Sequence, residues 1–388
     1  MANTLGALRE FGRKGIPAVV SGVGNGIVAK SKWFRPWPVP NEPSPDSLTE
    51  ALSDPALPGG VIIPCTDRWV RALAAVPREK FAGRFSWCLP TADSVENLLD
   101  KGRFAELLGR LDLPRPWTLS SAEPKAIETL GADWSGLFLK PRDSFAFARR
   151  FPVKGFRPAN REEALRLLGE CTSAGLEMMV QEFIPGEPTA HYFLDGFMDR
   201  HGNITAILAR RRLRAVDGAL SDTACCVTID IEQMREPAAH LERLLRSIQY
   251  RGVFSAEFKR DPRDNQFKFI EVNTRVWGNI SLVPACGIDL MGMVYDDALG
   301  RDVKPARSYK VGQHWVNMFR DRGTAMQMVR AGQLSWTSFA RSWIGAAFAL
   351  FAVSDLGPFV TEAKRRLHSR SQRTDTPAGR LPEPLKMR

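Results

Sequence analysis

The chain has 388 residues and a formal charge of +11, with 44% hydrophobic and 25% charged residues. At about 100 to 200 residues per domain, this length predicts two or three domains and excludes a small disulfide-stapled scaffold. The composition is that of a folded globular protein, which excludes the disordered, fibrous and collagen-like classes. The six cysteines (Cys65, Cys88, Cys171, Cys225, Cys226 and Cys286) are scattered without a C-x-x-C pair, which argues against structural zinc and against a disulfide framework. The longest apolar run, Trp343 to Val353, has 11 residues, short of the roughly 18 to 20 that span a bilayer as a helix. No basic and then apolar leader opens the sequence, so the cytoplasm is the expected compartment. Eight of the Lys and Arg residues fall between Lys364 and Arg388 against only Asp375 and Glu383, leaving +5 on residues 1 to 363. With almost nothing apolar to bury, that stretch reads as a solvated, disordered tail before it reads as a binding arm.

Asn3 is placed to cap a helix whose apolar positions Leu5, Leu8 and Phe11 share a face, ended by Gly15 and followed by a short strand, Ile16 to Val20. Ser21 to Gly26 is glycine-rich but lacks the G-x-G-x-x-G spacing. It runs into the proline-rich stretch Trp33 to Pro45, where a pyrophosphate site needs a helix N-terminus. A strand Val61 to Pro64 leads through Thr66 and Asp67 into a helix Arg68 to Ala75; Asp67 at this strand end can face a substrate, but a plain N-cap is the favoured role. One helical stretch, Ser94 to Leu111, precedes the stiff boundary Leu113-Pro114-Arg115-Pro116. Beyond it the pattern predicts strands Leu137 to Lys140 and Val153 to Phe156, a helix Arg161 to Ala174, and a strand Met178 to Phe183. Strands His191 to Phe197 and Ile204 to Val216 follow, then a helix Ala238 to Gln249 and a strand pair, Val253 to Asp261 and Gln266 to Arg275.

The strand pair carries the chemistry. Alternate side chains share a strand face, so Glu271, Asn273 and Arg275 point one way while Ile270 and Val272 point the other. Glu257 on the partner strand adds a second carboxylate. Two acidic oxygen donors and an amide oxygen suit a hard divalent cation that also holds phosphate oxygens, and Arg275 can neutralise the charge left over.

These residues carry a family likeness. Glu257-Phe258-Lys259-Arg260-Asp261-Pro262, followed by Phe269-Ile270-Glu271-Val272-Asn273-Thr274-Arg275-Val276-Trp277-Gly278 and Cys286-Gly287-Ile288-Asp289, resembles the ATP-grasp superfamily, in particular its carboxylate-amine ligase-like branch. The family usually has proline where Thr274 stands. The resemblance implies an α/β and α+β architecture: a Rossmann-like N-terminal domain (residues 1–90), a linker helix and ATP-grasp lid (91–190), a catalytic subdomain with a magnesium site (191–320), a helical C-terminal segment (321–363) and the basic tail (364–388). It implies Glu257, Glu271 and Asn273 as Mg²⁺ ligands, Mn²⁺ being able to substitute, and Arg275 as the contact to the transferred phosphoryl group. Lys140, in Leu137-Phe138-Leu139-Lys140-Pro141-Arg142-Asp143-Ser144, matches the lysine that reaches the phosphates of ATP, with a flexible loop after it. Lys101 and Lys154 match two further nucleotide lysines. Val180 to Glu187 matches the hinge, where backbone groups of Glu182 and Ile184, flanking Phe183, read adenine and Glu187 binds ribose. Arg212 and Arg214 match a basic pair near the phosphates, arginine replacing the usual lysine at 212. The family pattern also puts a strand ahead of the helix that here begins near Met1.

The activity implied is an ATP- and Mg²⁺-dependent joining of a small carboxylate to a small amine, with catalytic charge from Arg275, Lys140 and Arg212. The alternative is an ATP-binding interaction module without turnover. Nucleic acid is not expected as a partner, because only alternate members of Arg210 to Arg214 share a face and no aromatic platform interleaves them. His191 and His314 read as packed or hydrogen-bonded strand residues before catalytic ones, and Cys225-Cys226 as a strand interior. The apolar run from Trp343, followed by basic Lys364 to Arg366, can form an interfacial helix through residues 342–366, but packing onto the protein body is the favoured reading over peripheral membrane contact.

Overall fold

The computed structural model describes residues 1–21, 26–37, 43–122, 134–216 and 222–374. Helix α1 (Ala2–Arg13) buries Leu5, Leu8 and Phe11 as the periodicity requires. Asn3 does not cap it. The Asn3 amide is buried instead and donates to the carbonyls of Cys65 and Val276, closing α1 onto two distant segments. After α1 the expected strand Ile16 to Val20 is reduced to a single bridge between Val20 and Pro36. Residues 22–25 of the glycine-rich stretch and 38–42 of the proline-rich one lie outside the described residues. Helix α2 (Pro45–Ser53), strand β1 (Gly60–Val61), helix α3 (Asp67–Ala74) and strand β2 (Phe85–Ser86) complete this part. Strands β1 and β2 pair in parallel, two residues each. Among the described residues the Rossmann-like sheet is therefore no more than this pair. Prolines at 58, 64 and 90 lie within four residues of the strand ends and supply no ladder donor.

The stretch predicted as one helix from Ser94 is two, α4 (Ala92–Leu99) and α5 (Lys101–Arg110). Asp100 breaks it. Its extended backbone ends α4, and its carboxylate accepts from the Arg103 amide at 2.9 Å to cap α5. The break places Lys101 in the first turn of α5. Strands β3 (Thr118–Leu119), β4 (Leu137–Pro141) and β5 (Met178–Glu182) form an antiparallel sheet in the order β3-β5-β4, with helices α6 (Ser144–Ala148) and α7 (Arg161–Ser173). Here two expectations change. The strand Val153 to Phe156 is one bridge to Leu139, because Gly155 sits at φ 154° against the Leu139 carbonyl. The loop after Lys140 is helical, capped by Asp143 through the Phe145 and Ala146 amides (2.8 and 3.1 Å) and pinned by buried Phe147.

Strands β6 (His191–Met198), β7 (Ile204–Ala215), β8 (Thr223–Ile229), β9 (Gly252–Arg260) and β10 (Phe267–Asn273) join β11 (His314–Val316) and β12 (Ala347–Phe348) in a seven-stranded sheet. Its order is β10-β9-β6-β7-β8-β11-β12. Helix α8 (Arg235–Ser247) lies between β8 and β9 in sequence. One sheet face is apolar: Tyr192, Leu194, Ala256, Phe258 and Phe269 pack with Phe104 and Leu108 of α5 and Leu241, Leu244 and Leu245 of α8. The other face is mixed: Phe197, Ala206, Leu208 and Val253 pack with Phe11 of α1 and with Leu290, Met291 and Val294, and His191, Asp195, Arg210, Arg212, Ser255 and Glu257 form a polar patch beside them. Alternation along the strands, shifted locally by bulges, separates these residues from the first face.

After β10 come α9 (Leu282–Ala285), α10 (Leu290–Ala298), α11 (Met318–Arg330), α12 (Trp336–Trp343) and α13 (Gly357–Thr374). The apolar run from Trp343 is not a helix. Helix α12 stops at Trp343, Gly345 takes φ 68°, and β12 follows. Nor is the stretch from Lys364 irregular throughout, since α13 continues to Thr374; residues 375–388 lie outside the described residues. Phe258 and Phe269 touch at 4.4 Å between ring centroids, both fully buried. Truncating Phe258 to alanine is expected to cost about 3–5 kcal/mol of unfolding free energy; a loss below about 1 kcal/mol in urea denaturation would show that this contact is not central.

Candidate functional site

The hairpin β9/β10 forms the floor of the site. A one-residue bulge at Ile270 decides its chemistry: Phe269 faces Phe258, but Glu271, not Ile270, faces Glu257. The extra residue brings two carboxylates directly across from each other, where unmodified pairing would set Glu271 against Ala256. Asn273 donates its amide to Glu271 at 3.1 Å, leaving its carbonyl oxygen as an acceptor. Two carboxylates and an amide oxygen are a hard-oxygen donor set that fits Mg²⁺. Among the described residues no group of three or more His, Cys, Asp or Glu side chains could by itself hold a metal ion, and the Nδ1 of neighbouring His191 is engaged with Glu257.

Glu257 is held ionised by its surroundings. Burial alone would raise its carboxyl, but a 2.5 Å hydrogen bond from His191 Nδ1 and a 3.0 Å ion pair with Arg212 hold it well below the usual carboxylate range. Burial in turn pushes His191 down, against the pull of Glu257. The expectation of a packed or hydrogen-bonded His191 agrees with the structure, and the partner of its hydrogen bond is a site carboxylate. No local signal exposed this, because the contact joins residues 66 positions apart.

Around this floor lies a cavity of about 660 Å³ lined by eight cations and six carboxylates. Lys140 enters from β4, Lys101 from the first turn of α5, and Lys154 from the segment after α6; Lys154 also pairs with Asp222 at 3.1 Å. Burial, reinforced by the positive charge of Lys101, pushes the Lys140 ammonium down to about 8. Glu182, Phe183 and Ile184 line the same cavity, and Phe183 lies between the Arg157 guanidinium (4.0 Å) and the Lys259 ammonium (5.2 Å). The hinge is already tied internally. Lys259 Nζ donates to the Ile184 carbonyl at 2.7 Å, and the Glu182 amide donates to the Trp117 carbonyl at 2.8 Å.

Two expected residues stand outside the lining. Glu187 is exposed on the far side of the Pro185-Gly186 turn. Arg214 is buried and forked onto Asp321 at 2.6 and 2.8 Å. Bulges on either side of it, between Arg212 and Arg214 and between Arg214 and Ala215, break the alternation that would have put both arginines on one face. Arg210 and Arg212 do share a face, both stacking on Phe193, while Arg211 stacks on Tyr192 opposite.

The other end of the cavity is built by the N-terminal part. Thr66 caps α3, and Asp67 reaches the cavity, where its carboxylate accepts from Arg275 Nε at 2.8 Å. Of the two roles open to Asp67, the cap falls to Thr66 and Asp67 lines the cavity. Arg71 bridges Glu96 (2.6 Å) and Asp143 (2.9 Å), tying α3 to the start of α6.

Comparison with known proteins follows this geometry. Residues 176–319 match a family model described as ATP-grasp in the biosynthetic pathway with Ter operon. The chain is 28% identical over 212 residues to a D-aspartate ligase of Enterococcus faecium (52% of this chain, 50% of the relative). It is 23% identical over 247 residues to the C-terminal section of a carbamoyl phosphate synthase large chain of Methanopyrus kandleri (62% and 42%). It thus spans about half the length of the curated relatives it matches. Among solved structures, the biotin carboxylase domain of a Hydrogenobacter thermophilus 2-oxoglutarate carboxylase, determined with MgADP and bicarbonate, superposes with a TM-score of 0.62 at 15% identity, covering 79% of this chain and 70% of that one. An L-amino acid ligase of Bacillus licheniformis superposes with a TM-score of 0.58 at 15% identity (79% and 73%).

A phosphate group bound beside Lys140 would draw on it as a cation, and that form is lost as pH rises through about 8. The dissociation constant for ATP is therefore expected to increase above that pH, by up to about tenfold per unit. Titration calorimetry across this range checks it, and Lys140→Arg, which does not titrate there, should flatten the slope; an unchanged slope in that variant would remove Lys140 as the cause.

Proposed function

We propose, from the premise that this chain is a member of the ATP-grasp superfamily, that it is an ADP-forming ligase that joins a small carboxylate to a small amine. The observation that carries this reading is the facing pair Glu257 and Glu271, with Asn273, under the cations of one cavity. Glu257, Glu271 and Asn273 would hold Mg²⁺, which when bound supplies Lewis-acid charge to phosphate oxygens.

In the reaction we infer, the substrate carboxylate oxygen attacks the γ-phosphorus of ATP, the bond to the bridging oxygen breaks, and ADP leaves an acyl phosphate behind. The amine nitrogen then attacks the acyl carbon and expels inorganic phosphate, and the amine proton passes to solvent. No protein nucleophile is needed. Lys140 and Arg212 offset negative charge as it moves between the phosphates, and Arg275 does so at the acceptor end, held there by Asp67. His191 keeps Glu257 ionised and aimed. Helix α6, tied to α3 through Asp143 and Arg71, covers the cavity and excludes the water that would hydrolyse an acyl phosphate. The names of the two relatives, one a ligase of an amino acid and one a carbamoyl phosphate synthase, support chemistry at a carboxylate-type carbon driven by ATP.

The test is ADP release from Mg-ATP across a panel of amino acids and other carboxylates, with hydroxylamine as a trapping nucleophile. Stimulation with hydroxamate formation by one carboxylate class is expected, and Glu271→Ala should lower turnover at least about a hundredfold. Mg-ATP binding with no ADP release across the panel would instead point to a non-catalytic ATP-binding module, and undiminished turnover in Glu271→Ala would sink the metal assignment.

A further inference from the structure

At the β12 edge of the seven-stranded sheet the chain builds an aromatic unit. Seven rings run in an unbroken series: Trp336 to Phe339 (6.1 Å), Phe339 to Trp343 (5.3 Å), Trp343 to Phe348 (6.2 Å), Phe348 to Phe351 (5.8 Å), Phe351 to Phe359 (5.3 Å) and Phe359 to Phe319 (5.3 Å). This series holds α11, α12, β12 and α13 together. It does not bury everything apolar near it. Of the thirteen exposed large apolar side chains among the described residues, six lie between Trp336 and Leu367, among them Trp336 (62% exposed), Ile344 (77%), Val353 (82%) and Leu367 (66%). Single exposed apolar residues are ordinary, but this concentration in one short stretch is not.

The charge of the same unit has one sign on the outside. Residues 318–374 contain nine Lys or Arg and three acids, Asp321, Asp355 and Glu362. All three acids are buried and consumed within the protein. Asp321 accepts from Arg214 and from Trp343 Nε1 at 2.7 Å, Asp355 accepts from Arg9 and Ser31 at 2.9 and 2.8 Å, and Glu362 accepts from Arg365 and Arg366 at 2.7 and 2.6 Å. What faces outward is therefore apolar tips among cations, including exposed Arg341 and Lys364.

We propose that the stretch from Trp336 to Leu367 docks this protein on an anionic lipid bilayer. Ile344 and Val353 stand in the short connections on either side of β12 rather than along one flat helix face. Isolated apolar tips of this kind gain by entering hydrocarbon, which needs no shape complementarity, whereas a protein partner rewards a continuous packed patch. Flanking arginines and lysines are drawn to anionic headgroups, and tryptophan suits the boundary between the two. Among the described residues no helix is long and apolar enough to cross a membrane, so the contact is peripheral. The unit is rigidly joined to the site: Trp343 and Ser342 meet Asp321 and Arg214, and Arg214 lies two residues along β7 from Arg212. This inference does not depend on the ligase reading.

The test is flotation of the full chain with phosphatidylcholine vesicles, with and without phosphatidylglycerol. Binding is expected only with the anionic lipid, and it should weaken as salt is raised. The pair Ile344→Glu with Val353→Glu, and separately Arg341→Glu with Lys364→Glu, should each lower vesicle partition at least about tenfold. These positions are exposed, so the thermal melt and Mg-ATP binding should match the parent protein. Failure of the parent protein to float with either vesicle overturns the proposal, as does flotation that both pairs leave unchanged. A lipid-free dimer in sedimentation equilibrium that Ile344→Glu with Val353→Glu dissociates would overturn it by giving the face to a second copy.

Discussion

Two carboxylates directly opposed across neighbouring strands repel, and the site exists because the fold compensates that repulsion. The bulge at Ile270 creates the pair by advancing Glu271 one position against β9. Arg212 and His191 then stabilise Glu257, and Asn273 stabilises Glu271. The compensation is partial by construction. His191 contributes a hydrogen bond and Arg212 an ion pair to Glu257, whereas Glu271 receives the uncharged amide of Asn273. A set of anionic oxygens left short of positive charge is what a divalent cation completes.

The apolar face of the same sheet makes that arrangement affordable. Phe258 and Phe269 flank Glu257 and Glu271 in sequence yet lie on the opposite side, buried with helices α5 and α8. Core and site are thus the two faces of one pair of strands, and displacement of either face moves the other. The cavity above is composite: Lys140 belongs to the small sheet, Lys101 to the helix capped by Asp100, and Asp67 to α3. Arg142 joins two of these, pairing with Asp100 at 2.8 Å from the residue after β4. The lining cations outnumber the carboxylates, which suits a polyanion that arrives with a metal ion.

The hairpin, the Lys140 strand and the hinge strand were readable in the sequence because their patterns are local. Period-2 alternation places Glu271 and Asn273 on one face whatever lies around them, and Pro262 to Asn265 marks the turn. Asn3 and Asp67 are short polar residues whose role depends on which distant group arrives: a guanidinium for Asp67, the carbonyls of Cys65 and Val276 for Asn3. Asp100 acts locally, by capping the Arg103 amide. Arg214 failed for a related reason, since bulges shift register without a mark in the residue pattern.

The sequence by itself determined the strand periodicity, the one-sided apolar pattern and the presence of two acids and an amide at hairpin spacing. Those follow from backbone geometry and transfer energies that act over a few residues. The tertiary structure alone decided that His191 and Arg212 meet Glu257, that Asp67 meets Arg275, and that the acids of the C-terminal unit turn inward while its apolar tips turn out. Such pairings bring together residues separated by tens to hundreds of positions, and a charge or hydrogen bond carries no trace in sequence of the partner that folding will supply.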